Sequence, residues 1–352
     1  MTDYRKAAWV DPVWNWQPLP VKPLPERLLI DYATRCNLRC PMCTVWGSKD
    51  EAAIDTLKGV MDAARSLALL DQVMPAKPLI QPNMYGEPLL IPDLKERIKE
   101  IKARGMAIAF NTNGLTLTEK IAAFVVESEV DSVFFSIDAV KPETFKRIRG
   151  VDQLSKVEAA VHRMLAARAD AVSPRIGVSF TLQDCNQDEE AAFVARWAGL
   201  VDCVRIGLIF EDGKFTSLKA PAERKPCPTL YNTLPVHNDG AVTICCLDGF
   251  KATVVGNIFE SSVKEVWLGE EFSKVRYYHE TGQWDKVPFC TDCNGWAQYE
   301  FQDEVRNGLL IRRSPEFTYY NRLDRLKNWH PHLRGGHEVE IEMIDLGQMG
   351  LA

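Results

Sequence analysis

Between residues 27 and 212, short apolar runs alternate with stretches in which apolar residues recur every three or four positions. The runs at 28–32, 78–81, 107–111, 132–137, 176–181 and 203–209 are short and apolar almost throughout, which predicts strands buried on both faces. The intervening stretches 92–104, 117–128, 154–168 and 188–199 predict amphipathic helices. This alternation predicts an α/β fold with a parallel sheet of six βα units, either doubly wound or a partial barrel. No G-x-G-x-x-G follows the first strand, which counts against a dinucleotide-binding version. The strand runs into cysteines instead.

After residue 212 the pattern changes, and Pro221, Pro226, Pro228 and Pro235 interrupt helical periodicity. The segment VHNDGAVTICC predicts a hairpin turning at Asp239-Gly240, and 261–268 and 271–280 predict short helices. Four regions follow: an extended arm over 1–26 rich in Trp and Pro (Trp9, Trp14 and Trp16 among them), a core over 27–215, a small domain over 216–300 and a C-terminal extension over 301–352. The extension is polar and aromatic-rich, with no clear repeat.

Composition narrows the function classes. At 46% hydrophobic and 26% charged residues, the chain is neither fibrous nor largely disordered. A net charge of −6 without a long basic run counts against nucleic-acid and anionic-membrane partners. No apolar stretch reaches the ~18 residues of a membrane span. The start, MTDYRKAAWVDP, lacks the apolar core of a secretory signal, so the expectation is a soluble, cytoplasmic protein. In that compartment thiols stay reduced, and the ten cysteines point to metal binding or catalysis rather than disulfides.

Cys36, Cys40 and Cys43 spell C-x3-C-x2-C directly after the first strand. Three thiolates in one loop cannot close a tetrahedral zinc site, but they can hold a cubane cluster with one iron left open. This loop resembles the signature of the radical S-adenosylmethionine superfamily, in which the cofactor chelates that open iron. The resemblance extends to Tyr85-Gly86-Glu87-Pro88, where Tyr85 replaces the first glycine of the usual Gly-Gly-Glu. It continues through Thr112-Asn113-Gly114, Ser136-Ile137-Asp138, Thr144-Phe145 and Ile148-Arg149-Gly150. It covers about residues 27–212 and implies a partial (β/α)6 TIM-like barrel. It also implies S-adenosylmethionine contacts at Gly86, Glu87, Asn113, Ser136, Asp138, Arg149 and Ser179.

Cys227, Cys245, Cys290 and Cys293 form C-x17-C-x44-C-x2-C, four thiolates that fill either a zinc site or a fully ligated cubane. The segment resembles the auxiliary-cluster region of the same superfamily in its shortened twitch form, because no cysteine follows Cys293. The resemblance implies two 4Fe–4S clusters and a small twitch-type domain with a β-hairpin and short helices. A fully ligated cluster has no open iron for substrate, so its expected work is electron transfer.

Cys185, Cys203 and Cys246 remain. Each reads as a small buried hydrophobe or as a thiol that returns a hydrogen atom to a carbon radical. Strand alternation predicts that Cys246 faces away from Cys245, which leaves Cys185, after the fifth strand, as the first choice. Arg205 and Asn111 are placed at the barrel mouth, where an arginine suits a carboxylate or phosphate as well as a scaffold ion pair. His330, His332 and His337 read as solvated or packed tail residues.

The resemblance implies hydrogen-atom abstraction by a 5′-deoxyadenosyl radical from a small sugar or aminocyclitol-like substrate of natural-product (antibiotic) biosynthesis. Oxidation of an alcohol to a ketone is the expected outcome, with the auxiliary cluster as electron acceptor and a flavodoxin or ferredoxin-type donor. Decarboxylation of a sugar acid and epimerisation of a sugar or peptide use the same abstraction. An iron–sulfur electron carrier is the non-enzyme alternative, but it would not need Gly86-Glu87 or Ser136-Asp138 at successive strand ends.

Overall fold

The computed structural model describes residues 20–299 and 301–326. Six parallel strands occupy the centre of the sheet: β1 (Arg27–Ile30), β2 (Leu79–Gln81), β3 (Ala107–Thr112), β4 (Ser132–Ser136), β5 (Arg175–Leu182) and β6 (Cys203–Leu208). They pair in chain order, so all six C-terminal ends share one edge. Consecutive buried residues such as Val133, Phe134 and Phe135 on β4 show why: both faces are covered, one by the barrel interior and one by helices.

The covering helices are α1 (Glu51–Leu57), α2 (Ala63–Val73), α3 (Leu94–Ala103), α4 (Glu119–Glu127), α5 (Pro142–Arg149), α6 (Leu154–Arg168) and α7 (Glu190–Trp197). On α6 the buried Leu154, Val157, Val161 and Met164 recur every three or four residues, which fixes the face it turns to the sheet. Helix α5 ends at Gly150, whose φ of 79° terminates it and leaves Arg149 at the strand-end edge.

A two-stranded hairpin, β7 (Phe210–Glu211) with β8 (Lys214–Phe215), follows the barrel. The sheet then grows at both ends. Strand β9 (Thr233–Val236) pairs in parallel with β1, Leu28 opposite Leu234, and carries β10 (Ala241–Thr243) and β11 (Val254–Asn257) beside it. The hairpin turns at Asp239-Gly240, as the sequence predicts, with Gly240 at φ 83°. Helices α8 (Thr229–Asn232), α9 (Val263–Trp267) and α10 (Glu270–Glu280) pack around it.

At the other end lies an antiparallel meander, β12 (Gln302–Arg306), β13 (Leu309–Arg313) and β14 (Phe317–Arg322), with β14 hydrogen-bonded to β6. The described residues thus form one twelve-stranded sheet around a common core. The meander occupies the first part of the C-terminal extension, for which the sequence reading predicts no elements. Cross-strand ion pairs, Arg312 to Asp303 at 2.7 Å and Arg313 to Glu304 at 2.8 Å, join β12 to β13, and buried Leu310 packs with Phe134 and Cys203 of the barrel. Most of the 1–26 arm and the tail histidines His330, His332 and His337 lie outside the described residues.

Candidate active site

The loop after β1 brings Cys36, Cys40 and Cys43 together. Cys43 N–H donates to the Cys40 carbonyl at 2.9 Å, and a side chain at Gly47 would meet three loop carbonyls at 2.6–2.7 Å. Backbone N–H groups of Leu38 and Trp46 point at the sulfurs of Cys36 and Cys43, at 3.4 and 3.3 Å. Burial pushes the Cys36 thiol up to about 12 and raises Cys40, although Arg149 opposes the shift at Cys40 from 3.9 Å. Three thiolates here stay costly until something positive sits among them.

The loop after β2 is pressed against this one. At Gly86 an added Cβ would lie 2.0 Å from the Ala33 carbonyl, so only glycine fits. Gly86 N–H donates to buried Asp31 at 3.2 Å. Glu87, 4% exposed, accepts from the Thr112 hydroxyl at 2.5 Å, from Leu89 N–H at 3.1 Å and from Asn113 N–H at 2.8 Å. It thereby fixes Asn113, whose amide donates to Asn37 at 2.8 Å and approaches the Cys36 sulfur at 4.0 Å. Tyr85, at the glycine position, packs with Val45 and Trp46, and the Trp46 indole donates to its carbonyl at 2.6 Å.

Asp138 is tied to its neighbours. It is fully buried at φ 66°, one oxygen accepts Thr181 N–H at 2.6 Å, and the other is bonded to Arg149. Through that bond it positions Arg149, whose guanidinium lies 3.9 Å from the Cys40 sulfur. Ser136 is half-buried, and buried Ser179 lies opposite it on β5, its carbonyl accepting Ile137 N–H at 3.1 Å.

Arg205 on β6 donates to Asn111 on β3 at 3.3 Å, and its guanidinium lies between the rings of Phe134 (5.0 Å) and Phe317 (5.8 Å). One group here was not anticipated. Because β14 runs antiparallel to β6, its first residues stand at the C-terminal end of β6, where the Glu316 carbonyl accepts Leu208 N–H at 3.1 Å. The Glu316 side chain is 6% exposed, with Oε2 unpartnered among the described residues. Burial and the nearby Cys246 thiol push it up to about 8, against the pull of Arg205.

The second cysteine set lines a cavity. Cys227 leads into α8, Cys245 follows β10, and Cys290 and Cys293 share a tight turn; with Arg224, His279, Ile244, Phe289 and Trp296 they form its wall. Burial raises Cys293, Cys227 to about 11 and Cys290 to about 12, and Cys245 is raised first by the neighbouring Cys246 and then by burial. Among the described residues, no three cysteine, histidine or carboxylate groups converge as a single metal ion requires. Four thiolates on one cavity wall are the donor set of a fully ligated 4Fe–4S cluster.

Residues 30–178 match the radical SAM superfamily, and residues 227–294 match an iron–sulfur cluster-binding domain of the SPASM type. The chain carries a radical S-adenosylmethionine domain followed by a SPASM-type iron–sulfur domain. A radical SAM domain binds a 4Fe–4S cluster and S-adenosylmethionine, and a SPASM domain binds auxiliary iron–sulfur clusters. The tungsten-containing aldehyde ferredoxin oxidoreductase cofactor-modifying protein of Pyrococcus furiosus is 25% identical over 318 residues, 76% of this chain and 86% of that one. Among solved structures, BtrN in complex with AdoMet and 2-DOIA has a TM-score of 0.54 at 20% identity, covering 77% of this chain and 93% of that one. Streptococcus suis SuiB bound to precursor peptide SuiA has a TM-score of 0.57 at 12% identity, covering 73% and 67%. Both likenesses are of fold.

Three cysteines of this radical SAM enzyme lie outside the two sets. Cys203 is fully buried at the start of β6 beside Phe134 and Leu310, with Arg175 bonded to it, which is a packing position. Cys185 is half-buried in the turn after β5, which Gln183 ties to the Met42 sulfur at 3.2 Å. Cys246 departs from expectation. Strand β10 ends at Thr243, so alternation does not reach the cysteines; both sit in a turn with their thiols hydrogen-bonded to each other. The Cys246 thiol is also close enough to Tyr85 and Glu316 to raise both.

Proposed function

We propose that this enzyme oxidises a hydroxylated carbon of a small polyhydroxylated substrate, a sugar or aminocyclitol, to a ketone. What supports the reading is the run of polar groups across the strand ends: Asn113 beside Cys36, then Asn111 with Arg205, then Glu316 near Cys246. In this reading Cys36, Cys40 and Cys43 hold the first cluster, and Cys227, Cys245, Cys290 and Cys293 hold the second. Gly86, Glu87, Asn113, Ser136, Asp138, Ser179 and Arg149 shape the S-adenosylmethionine site. When bound, these groups supply a 5′-deoxyadenosyl radical and a one-electron acceptor, and a flavodoxin or ferredoxin-type protein supplies the starting electron.

The chain's own residues do the rest. Asn111 and Arg205 hold substrate oxygens, with Phe134 and Phe317 keeping water from the guanidinium. The ionised form of Glu316, in exchange with the protonated one around its pKa of about 8, takes the hydroxyl proton as the substrate carbon loses its hydrogen atom, so the remaining electron leaves to the one-electron acceptor and a carbonyl forms. The buried carboxyl has an empty acceptor oxygen for that proton. The test is an anaerobic assay with glucose, myo-inositol, scyllo-inosamine and the sugar acid glucuronate, reading 5′-deoxyadenosine and product mass. A product lighter by one H2 supports the reading, and one lighter by carbon dioxide replaces it with decarboxylation.

Epimerisation is favoured by a different observation, the Cys246 thiol beside Glu316. It predicts unchanged mass with deuterium taken from heavy water, abolished in Cys246→Ala.

A further inference from the structure

Two nitrogen side chains share the wall of the second cysteine cavity: His279 from α10 and Arg224 from the segment before Cys227. His279 is 2% exposed, and the backbone N–H of Cys227 points at its Nδ1 at 3.4 Å. A backbone N–H can only donate, so Nδ1 is the acceptor nitrogen and the ring proton sits on Nε2. That Nε2–H is buried and has no partner among the described residues. Arg224 repeats the pattern. Its two terminal nitrogens donate to the carbonyls of Thr291 at 2.8 Å and Cys290 at 2.5 Å, and its plane lies 4.7 Å over Trp284. Its Nε–H is buried and unpartnered in the same way. A buried donor without an acceptor is costly, so two on the wall of one cavity call for an acceptor inside it.

We propose that His279 Nε2 and Arg224 Nε donate hydrogen bonds to sulfur atoms of the auxiliary cluster and raise its reduction potential. The inference rests on the reading above that this cavity holds that cluster. Reduction adds one negative charge, spread over iron and sulfur, and N–H dipoles aimed at sulfur favour the more negative state. The guanidinium charge acts in the same direction. Its terminal nitrogens are already fixed to the Cys290–Cys293 turn, so Nε is held in place without further ordering. A cluster tuned upward in this way is a better electron acceptor. Both residues act through the cluster and touch no substrate, so they are positioning residues.

The experiment is a redox titration of the anaerobically reconstituted holoenzyme followed by EPR. The signal that does not respond to added S-adenosylmethionine belongs to the second cluster. In His279→Phe that cluster should become about tenfold harder to reduce, ~59 mV for one electron. Arg224→Lys, which keeps the charge but removes Nε, should shift it the same way. An unchanged potential in a His279→Phe protein that retains the cluster overturns the proposal. Should His279→Phe lose its cluster, wild-type protein labelled with 15N-histidine answers instead. A nitrogen coupling to the reduced second cluster supports the bond, and its absence means that water satisfies Nε2. A holoenzyme binding only about four irons, rather than about eight, overturns the parent reading and the proposal together.

Discussion

Glu87 acts mainly on its neighbours. Its two oxygens accept from Thr112, Leu89 and Asn113, and through Asn113 they set the wall beside Cys36. In Glu87→Gln an amide N–H2 must face one of these donors, which costs about 1–3 kcal/mol. S-adenosylmethionine binding, read by calorimetry, should weaken by roughly 5–100-fold, while the second cluster's absorbance stays. His237 offers a pH readout. It is 3% exposed, and burial and Lys251 push it down to about 4 from 6.5. Below about pH 6.5 the unfolded chain takes up a proton that the folded ring refuses. Stability should therefore fall as pH drops from 6.5 towards 4, by about 1.4 kcal/mol per unit from this one group. His237→Gln should flatten that part of a melting-temperature profile, and an identical slope would show that the ring titrates normally. Gly86 and Glu87 were legible in the sequence because local motifs carry them. Glu316 was not, because only the antiparallel pairing of β14 with β6 brings it to the barrel mouth.

At the scale of elements, the six parallel strands were readable because both faces are buried and their apolar runs are nearly unbroken. Their ends shifted by a residue or two where buried polar groups such as Asp31 and Asp138 continue the chain past the pairing. The meander β12–β14 was missed, since strands such as Gln302–Arg306 carry charge on both faces. Yet a signal was present: Asn307-Gly308 joins β12 to β13, with φ of 52° and 73°, the two-residue turn that suits the twist of a hairpin. Gly308→Val places a β-branched residue at positive φ, and it should destabilise the protein by about 1–3 kcal/mol. The loss should be visible as a lower melting temperature. Because Glu316 hangs on the same meander, product formation should fall as well, with 5′-deoxyadenosine formation less affected. Equal loss of both would argue that the meander supports the whole barrel and does not place Glu316 specifically.

For the whole molecule, the question is how far the cluster cavity depends on its metal. Small metal-bearing modules often unfold without it, because the binding free energy is part of folding. Here the segment is anchored elsewhere. Strand β9 is hydrogen-bonded to β1 along its length, the Asn238 amide donates to Thr34 and Leu57 at 2.6 and 2.8 Å, and Val263 N–H reaches Gln72 at 2.8 Å. Trp267 and Phe272 are fully buried and pack edge to face at 5.1 Å, with Arg276 stacked on both. None of these contacts involves a cysteine. The Cys290–Cys293 turn is held more lightly, by Arg224 on its carbonyls and by Asn294 bridging to Phe215 at 2.7 and 2.8 Å. Chelating the iron leaves raised-pKa thiols facing an empty cavity, and that turn should loosen first. Hydrogen exchange should therefore speed up over 221–229 and 284–297 in the metal-free protein. The strands of β1–β6 and β9–β11 should keep their protection. Broad loss of protection across β9 would show instead that the cluster, and not the shared sheet, holds this half of the molecule together.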